Sequence, residues 1–172
     1  MDSALETIYA RRSIRKYSDR PVTDEQVETV LRAAMAAPSA GNYKPVSYVV
    51  VRDPETRQAL ADLHTYAKML VQAPVCIVPC GEPGKTFATQ PEFWVQDASA
   101  ATENLLLAAA ALGLGAVWCG VYPVENRLGP ASEVLGLPPG VIPFAFIAVG
   151  WPAETKAPRT QYEASRVHLE RW

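Results

Sequence analysis

The chain has 172 residues, with 18 acidic and 16 basic side chains, a formal net charge of −2, and a composition that is 49% hydrophobic and 20% charged. A slightly acidic balance argues against any general affinity for nucleic acid, and the apolar content excludes an intrinsically disordered polymer. At this length a single domain over residues 1–172 is expected, burying roughly two-thirds of the surface that the unfolded chain exposes.

Met1-Asp2 leads straight into a helical pattern over 3–12, with Leu5, Ile8 and Tyr9 on one face. No basic and apolar export signal precedes it, so a cytoplasmic location is expected. Thr23-Asp24-Glu25-Gln26 has the residues of a capping box, and Val27, Val30, Leu31, Ala34 and Met35 follow at helical spacing before Pro38. A short β-branched strand spans 48–51, and Asp53-Pro54-Glu55 opens another helix whose pattern runs to about residue 72. Residues 74–80 read as a buried strand and 81–90 as a polar surface loop. The longest helix, 93–112, is so apolar that it must be covered nearly all round. From 105 to 122 runs an uncharged stretch of eighteen residues, the least that could cross a bilayer. Gly113 and Gly115 interrupt it and 118–122 suits a strand or turn, so no membrane span is expected. A strand at 116–121, a helix at 125–135 and a last core strand at 143–150 complete the domain. The polar tail from about 151 to 172 needs a surface to lie on, and a partner subunit is a natural one. Helices and strands follow one another without βαβ alternation, which points to an α+β fold.

The chemistry-bearing residues are few. Cys76, Cys80 and Cys119 read as small buried hydrophobes, not disulfide partners, and His64 and His168 form no metal-ligand pattern. Neither a phosphate-binding Gly-rich loop, nor a dinucleotide fingerprint, nor a serine elbow is present. With no nucleophile in sight, an enzyme built on this chain would rely on a bound cofactor. Two stretches stand out. Arg11, Arg12, Ser13 and Arg15 gather guanidinium forks and a hydroxyl within five residues, which suits a phosphate, or else a solvated basic helix end beside its own dipole. Pro38-Ser39-Ala40-Gly41-Asn42 is either a helix terminator and turn or a loop whose Asn42 amide addresses a heterocycle with imide character.

Taken together, these stretches resemble the FMN-dependent nitroreductase family. Arg-Arg-Ser-Ile-Arg at 11–15 is similar to its Arg-x-Ser-x-Arg/Lys opening, and Pro-Ser-Ala-Gly-Asn-Tyr-Lys-Pro at 38–45 to its Pro-Ser-x-x-Asn-x-Gln-Pro loop. The stretches 103–109, 112–120 and 144–152, with Lys156 and Arg159 beyond, agree in order along nearly the whole chain.

The resemblance implies a nitroreductase-like α+β fold, a central, mostly antiparallel sheet flanked by helices, built as an intertwined homodimer with FMN at each side of the interface and the 151–172 tail on the partner. It implies that Arg11 and Ser13 hold the flavin phosphate, with Arg12 also among the cofactor-binding residues, that Arg15 reaches the pyrimidine edge of the ring, and that Lys156 or Arg159 completes the phosphate site. Pro38, Ser39, Ala40 and Asn42 would come from the other subunit, and Trp118, Cys119 and Gly120 would line the ring and offer a backbone amide near its N5. The activity implied is reduction of nitroaromatics, quinones or other small electron-poor compounds by NADH or NADPH in ping-pong order. Relatives with dehalogenase, enoate-reducing or flavin-cleaving chemistry, or a non-catalytic FMN-binding module, are the alternatives. Lys44, Val46 and Ala40 depart from the glutamine, tryptophan and serine common in the family. Where larger members insert helices the site would be more open than usual or be capped by Tyr66, Phe87 or Phe93, which as isolated aromatics read otherwise as packing or surface residues.

Overall fold

The computed structural model describes residues 3–172, so the expectation that rests on Met1-Asp2 lies outside the described residues. Helix α1, Ser3–Ala10, is two residues shorter than its pattern suggests. The chain is pulled out of the helix because the Ile14 N–H donates to Ala116 O at 3.0 Å, making residue 13 a parallel bridge to the sheet. Helix α2, Asp24–Met35, starts at the expected capping box: Thr23 accepts from the Gln26 N–H, and the Gln26 side chain accepts from the Thr23 N–H.

Strand β1, Val46–Val51, is followed by helix α3, Pro54–Asp62, whose Asp53 cap accepts from the Thr56 N–H at 2.8 Å. The expected continuation of this helix to about residue 72 does not occur. His64 turns inward, its ring Nδ1 takes the Tyr66 N–H at 3.0 Å in place of a helical carbonyl, and only a short 3₁₀ turn, Lys68–Val71, follows. Strand β2, Val75–Gly81, precedes the polar loop and the nineteen-residue helix α4, Phe93–Ala111. Strand β3, Gly115–Gly120, helix α5, Glu125–Leu135, the two-residue strand β4, Ile142–Pro143, and strand β5, Ala145–Gly150, complete the domain. The expected last strand is thus split at Phe144: its N–H still reaches Pro79 O of β2 at 2.9 Å, but beyond it the register against β2 slips by one residue, from Cys80–Pro143 to Ile77–Ile147.

The sheet order is β1-β2-β5-β3, with β4 beside β2, and every strand pair is antiparallel. β2 and β5 are central, and every residue of both is buried. That is why they read as continuous apolar runs without alternation. Their side chains divide the core in two. Cys76, Val78, Phe146 and Ala148 pack with Leu60, Leu70 and Ala131 on one face, whereas Val75, Ile77, Ile147 and Val149 pack with Val30, Trp94 and Leu105 on the other. α2 and α4 therefore cover one face and α3 and α5 the other, as the sequence reading of a helix-flanked antiparallel sheet requires.

Two glycines bring the chain entrance against this sheet. A Cβ at Gly115 would lie 2.7 to 3.0 Å from three Ile14 atoms, and one at Gly150 would meet Tyr17 and Pro74 at 2.7 to 2.8 Å. Ile14 and Tyr17, both buried, thus seat the 11–17 segment on the edge of β3. The segment after β5 locks it from outside, through Ser18 N–H to Trp151 O and Ala153 N–H to Lys16 O, each 2.9 Å. Beyond residue 158 every tail residue is exposed, Trp172 completely. Among the described residues no helix is long and apolar enough to cross a membrane, and the 105–122 run divides into the end of α4, a turn and β3.

Candidate functional site

The basic residues near the amino end meet those near the carboxyl end. Lys156 Nζ donates to Ser13 O at 2.5 Å and pairs with Glu154 Oε1 at 3.2 Å, and the same Glu154 oxygen accepts the Arg15 N–H at 2.6 Å. Glu154 is held below the ordinary carboxylate range, first by that backbone bond. Arg12 donates through Nη1 to Ala157 O, and the Arg159 N–H donates to Tyr9 O at 3.1 Å. Arg11 pairs with Glu103 of α4 through Nε at 3.3 Å. A cavity of about 430 Å³ lies between α1 and the end of α4, with Arg11, Arg12 and Lys156 on its wall. Arg159 shares a second cavity of about 500 Å³ with Arg11 and Tyr9. Five cations are gathered here although the chain carries net negative charge, because carboxylates on other elements, Glu103 and Glu154, anchor two of them.

Gly120 lies at the far end of the same strand edge. The Ile14 N–H bonds to Ala116 O and the Val121 N–H to Phe144 O, so along β3 the even-numbered residues turn their backbone groups away from β5. The Gly120 carbonyl accordingly points off the sheet, where it accepts from His64 Nε2 at 3.0 Å and Arg127 Nη1 at 2.9 Å. Its N–H faces outward with it. A Cβ built at Gly120 meets nothing within 4 Å, so this peptide borders open space. The Arg15 guanidinium lies close enough to Cys119 to pull its thiol pKa down, although burial dominates and holds it up at about 11. Cys119 is thus a packing residue and no thiolate nucleophile at neutral pH. The three cysteines are all free and buried. Trp118 packs against Phe144 with ring centroids 5.4 Å apart.

The second stretch stands apart. Pro38 and Ser39 line a cavity of about 350 Å³ with Met35, Lys44, Tyr48 and Asp97, and none of Arg11–Arg15 or Trp118–Gly120 reaches it within one chain. Asp97 of α4 accepts the Ala40 N–H at 2.9 Å, while its other carboxylate oxygen is buried with no partner among the described residues. Ser39 Oγ accepts the Lys44 N–H at 3.0 Å. Gly41, Asn42 and Lys44 all hold positive φ, between 53° and 58°, which costs the last two backbone strain of order 1 kcal/mol each. Phe87 packs edge-on against Tyr43 at 4.9 Å and near Phe93 at 6.0 Å, so two of the three aromatics expected to cap the site brace this loop, and Tyr66 is exposed.

Comparison with known proteins decides the family. The Nitroreductase family model matches residues 8–66 and 63–151. The chain belongs to the nitroreductase family. A protein of Archaeoglobus fulgidus, provisionally named as an NADH dehydrogenase/NAD(P)H nitroreductase, is 45% identical over the full length of both chains. A solved structure from Parabacteroides distasonis with the same provisional name superposes with a TM-score of 0.94 at 38% identity, covering all of both chains. A nitroreductase structure from Desulfovibrio desulfuricans, described as a complex with FMN, gives 0.88 at 33% identity over 100% of this chain and 99% of that one. In this nitroreductase chain the structure joins the opening motif to Lys156 and Arg159, sets Trp118–Gly120 on the same strand edge, and keeps Pro38–Asn42 in a separate cleft. His64, Asp97, Glu103, Arg127 and Glu154 carry no local motif. The polar positions of the otherwise apolar 93–112 pattern are the signal that points to Asp97 and Glu103.

Proposed function

We propose that the protein is an FMN-dependent oxidoreductase that passes electrons from NADH or NADPH to nitroaromatics, quinones or similar small electron-poor compounds. The observation that carries the reading is the open face in front of Gly120, at the edge of the strand that also seats the clustered cations. A planar ring needs a wall free of side chains, a backbone donor at its edge and cations at its charged end, and these residues fit all three.

In this reading Arg11, Arg12 and Ser13, with Lys156 or Arg159, bind the phosphate, whose charge they balance at short range without making the protein basic overall. Arg15 sets a cation at the pyrimidine edge of the ring, and the Gly120 N–H directs a hydrogen bond to its N5 edge. Bound FMN supplies the two-electron chemistry that no side chain here can perform. Trp118 and the buried Cys119 shape the wall beside the ring and exclude water. Donor and acceptor then use one face in turn, which gives the ping-pong order.

Pro38, Ser39, Ala40 and Asn42 of the partner subunit complete the site in a homodimer. The exposed apolar residues Leu5, Ile8, Met35, Val167, Leu169 and Trp172 support such an assembly, since a monomer would leave them all in water.

The test is a visible spectrum of the purified protein, followed by anaerobic titration with NADH and with NADPH. A yellow protein bleached by one of them, and an Arg11→Ala variant that loses the flavin, is the expected result. A colourless protein that takes up no FMN at micromolar concentration refutes the proposal.

A further inference from the structure

His64 is 3% exposed, and it is one of only two histidines in the chain. Its surroundings dictate its protonation state. The Tyr66 N–H donates to Nδ1, so that nitrogen must keep its lone pair, and the ring proton sits on Nε2, facing the Gly120 carbonyl. An imidazolium would set two N–H groups against each other at Nδ1 and a second positive charge 3.2 Å from Arg127 Nη1. Burial and that guanidinium both depress the His64 pKa. Arg127 comes from α5, seven residues beyond the end of β3, and forms no ion pair among the described residues; its Nη1 donates to this carbonyl.

The carbonyl at the open end of an edge strand is therefore held by two donors from opposite sides of the chain. Nothing in packing requires this. A backbone oxygen at a strand end is satisfied by one donor or by water, so two side-chain donors on this one carbonyl exceed what it needs. The consequence is rotational. In a β-strand the N–H and C=O of one residue point the same way, so fixing the Gly120 carbonyl fixes the direction of its N–H.

We propose that His64 and Arg127 are positioning residues that clamp the Gly120 carbonyl and thereby aim the Gly120 N–H at the flavin, Arg127 also contributing a positive charge beside the reducible ring. The proposal rests on the FMN reading above and deepens it. His64 acts here as a neutral donor of fixed tautomer and transfers no proton.

The test uses the full-length chain with four variants: His64→Leu, which removes the donor; His64→Gln, whose amide nitrogen reaches the place of Nε2; Arg127→Met, which removes charge and donor; and Arg127→Lys, which keeps the charge. FMN dissociation constants come from quenching of flavin fluorescence and reduction potentials from equilibration with reference dyes. In the flavin-free protein, the carbonyl carbon of Gly120 and the imidazole nitrogens of His64 are followed by NMR.

His64→Leu and Arg127→Met should bind FMN roughly tenfold more weakly, about 1.4 kcal/mol. Arg127→Met should also shift the potential to lower values, while Arg127→Lys holds it. His64→Gln should recover most of the affinity, and the Gly120 carbonyl resonance should move in His64→Leu and return in His64→Gln. A merely structural His64 would give folded variants whose potential, affinity and Gly120 resonance match the unmodified protein, and that result overturns the clamp. His64→Gln behaving like His64→Leu in a folded protein overturns it as well. If the unmodified chain takes up no FMN, it is the flavin reading that fails, and the role of the clamp fails with it. A yellow unmodified protein with unaffected variants removes the clamp alone.

Discussion

Two glycines on one strand give opposite expectations for the same change. At Gly120 an added methyl meets no atom within 4 Å, and the backbone there is not left-handed, so Gly120→Ala should leave stability within about 0.5 kcal/mol. That methyl, however, projects into the open space assigned to the flavin ring. Crowding a well-fitted contact costs about 1–3 kcal/mol, which weakens FMN binding about 5- to 150-fold. At Gly115 the methyl meets three Ile14 atoms at 2.7 to 3.0 Å, and Ile14 is fixed in the core beneath the basic segment. There the same cost of about 1–3 kcal/mol falls on folding, a loss of about 2–12 °C in melting temperature for a chain of this size. The assay is thermal unfolding by circular dichroism alongside FMN titration of both variants. A Gly120→Ala protein that binds FMN as tightly as the unmodified chain removes the open face from the flavin site. An unchanged melting temperature in Gly115→Ala shows that the 11–17 segment is not held by close approach to β3.

Two further outcomes follow from the same geometry. Lys156→Met deletes the bond to Ser13 O and leaves Glu154 without its cation. It should cost about 1–3 kcal/mol in urea unfolding and weaken FMN binding, whereas Lys16→Met, at an exposed side chain, should do neither. Because the folded pKa of His64 is depressed from its ordinary 6.5, its contribution to stability is fully present above pH 6.5 and declines as pH falls below that value through the folded pKa. The carboxylates with depressed values, among them Asp53 and Glu154, lose their contributions in the same direction but only below about pH 4.5. Unfolding free energy measured from pH 8 to pH 5 should therefore fall in the unmodified chain and fall less in His64→Gln, and parallel curves would refute the assignment.

The fold was legible where local chemistry and tertiary demand coincide. The Thr23 capping box, the Asp53-Pro54 helix start and the fully apolar 74–80 run all lie where their patterns place them, because each is satisfied by neighbours in sequence or by central burial. The misreadings share a cause. Residues 63–72 have helical character, but the His64 ring is drawn to Gly120, 56 residues away, and the Tyr66 N–H goes with it. Residues 143–150 look like one strand, but the register against β2 slips by one residue at Phe144. The site divides in the same way. Arg11, Ser13 and Asn42 stand in motifs, whereas Glu103, Glu154 and Arg127 are ordinary charged residues whose meaning comes from what the topology sets beside them.

That topology also explains how an acidic chain concentrates positive charge. The 11–15 segment, with its three arginines, bridges the outer edge of β3, and an edge exposes backbone that invites pairing with other chains. Here the edge is closed by the returning 151–157 segment, which brings Lys156 to Ser13 O and Glu154 to the Arg15 N–H. One carboxylate and one ammonium thus fix the backbone of the motif from the returning segment. The loop at 38–42 is held by a different device, the Asp97 carboxylate and three left-handed residues, and it opens on a different cleft. Two half-sites braced by their own chain and lining separate cavities suit the proposed site shared between two copies of one chain. The strain at Asn42 and Lys44 is carried by the chain's own bracing, the Ala40 N–H to Asp97 and the Lys44 N–H to Ser39 Oγ, so the loop keeps its shape without a ligand.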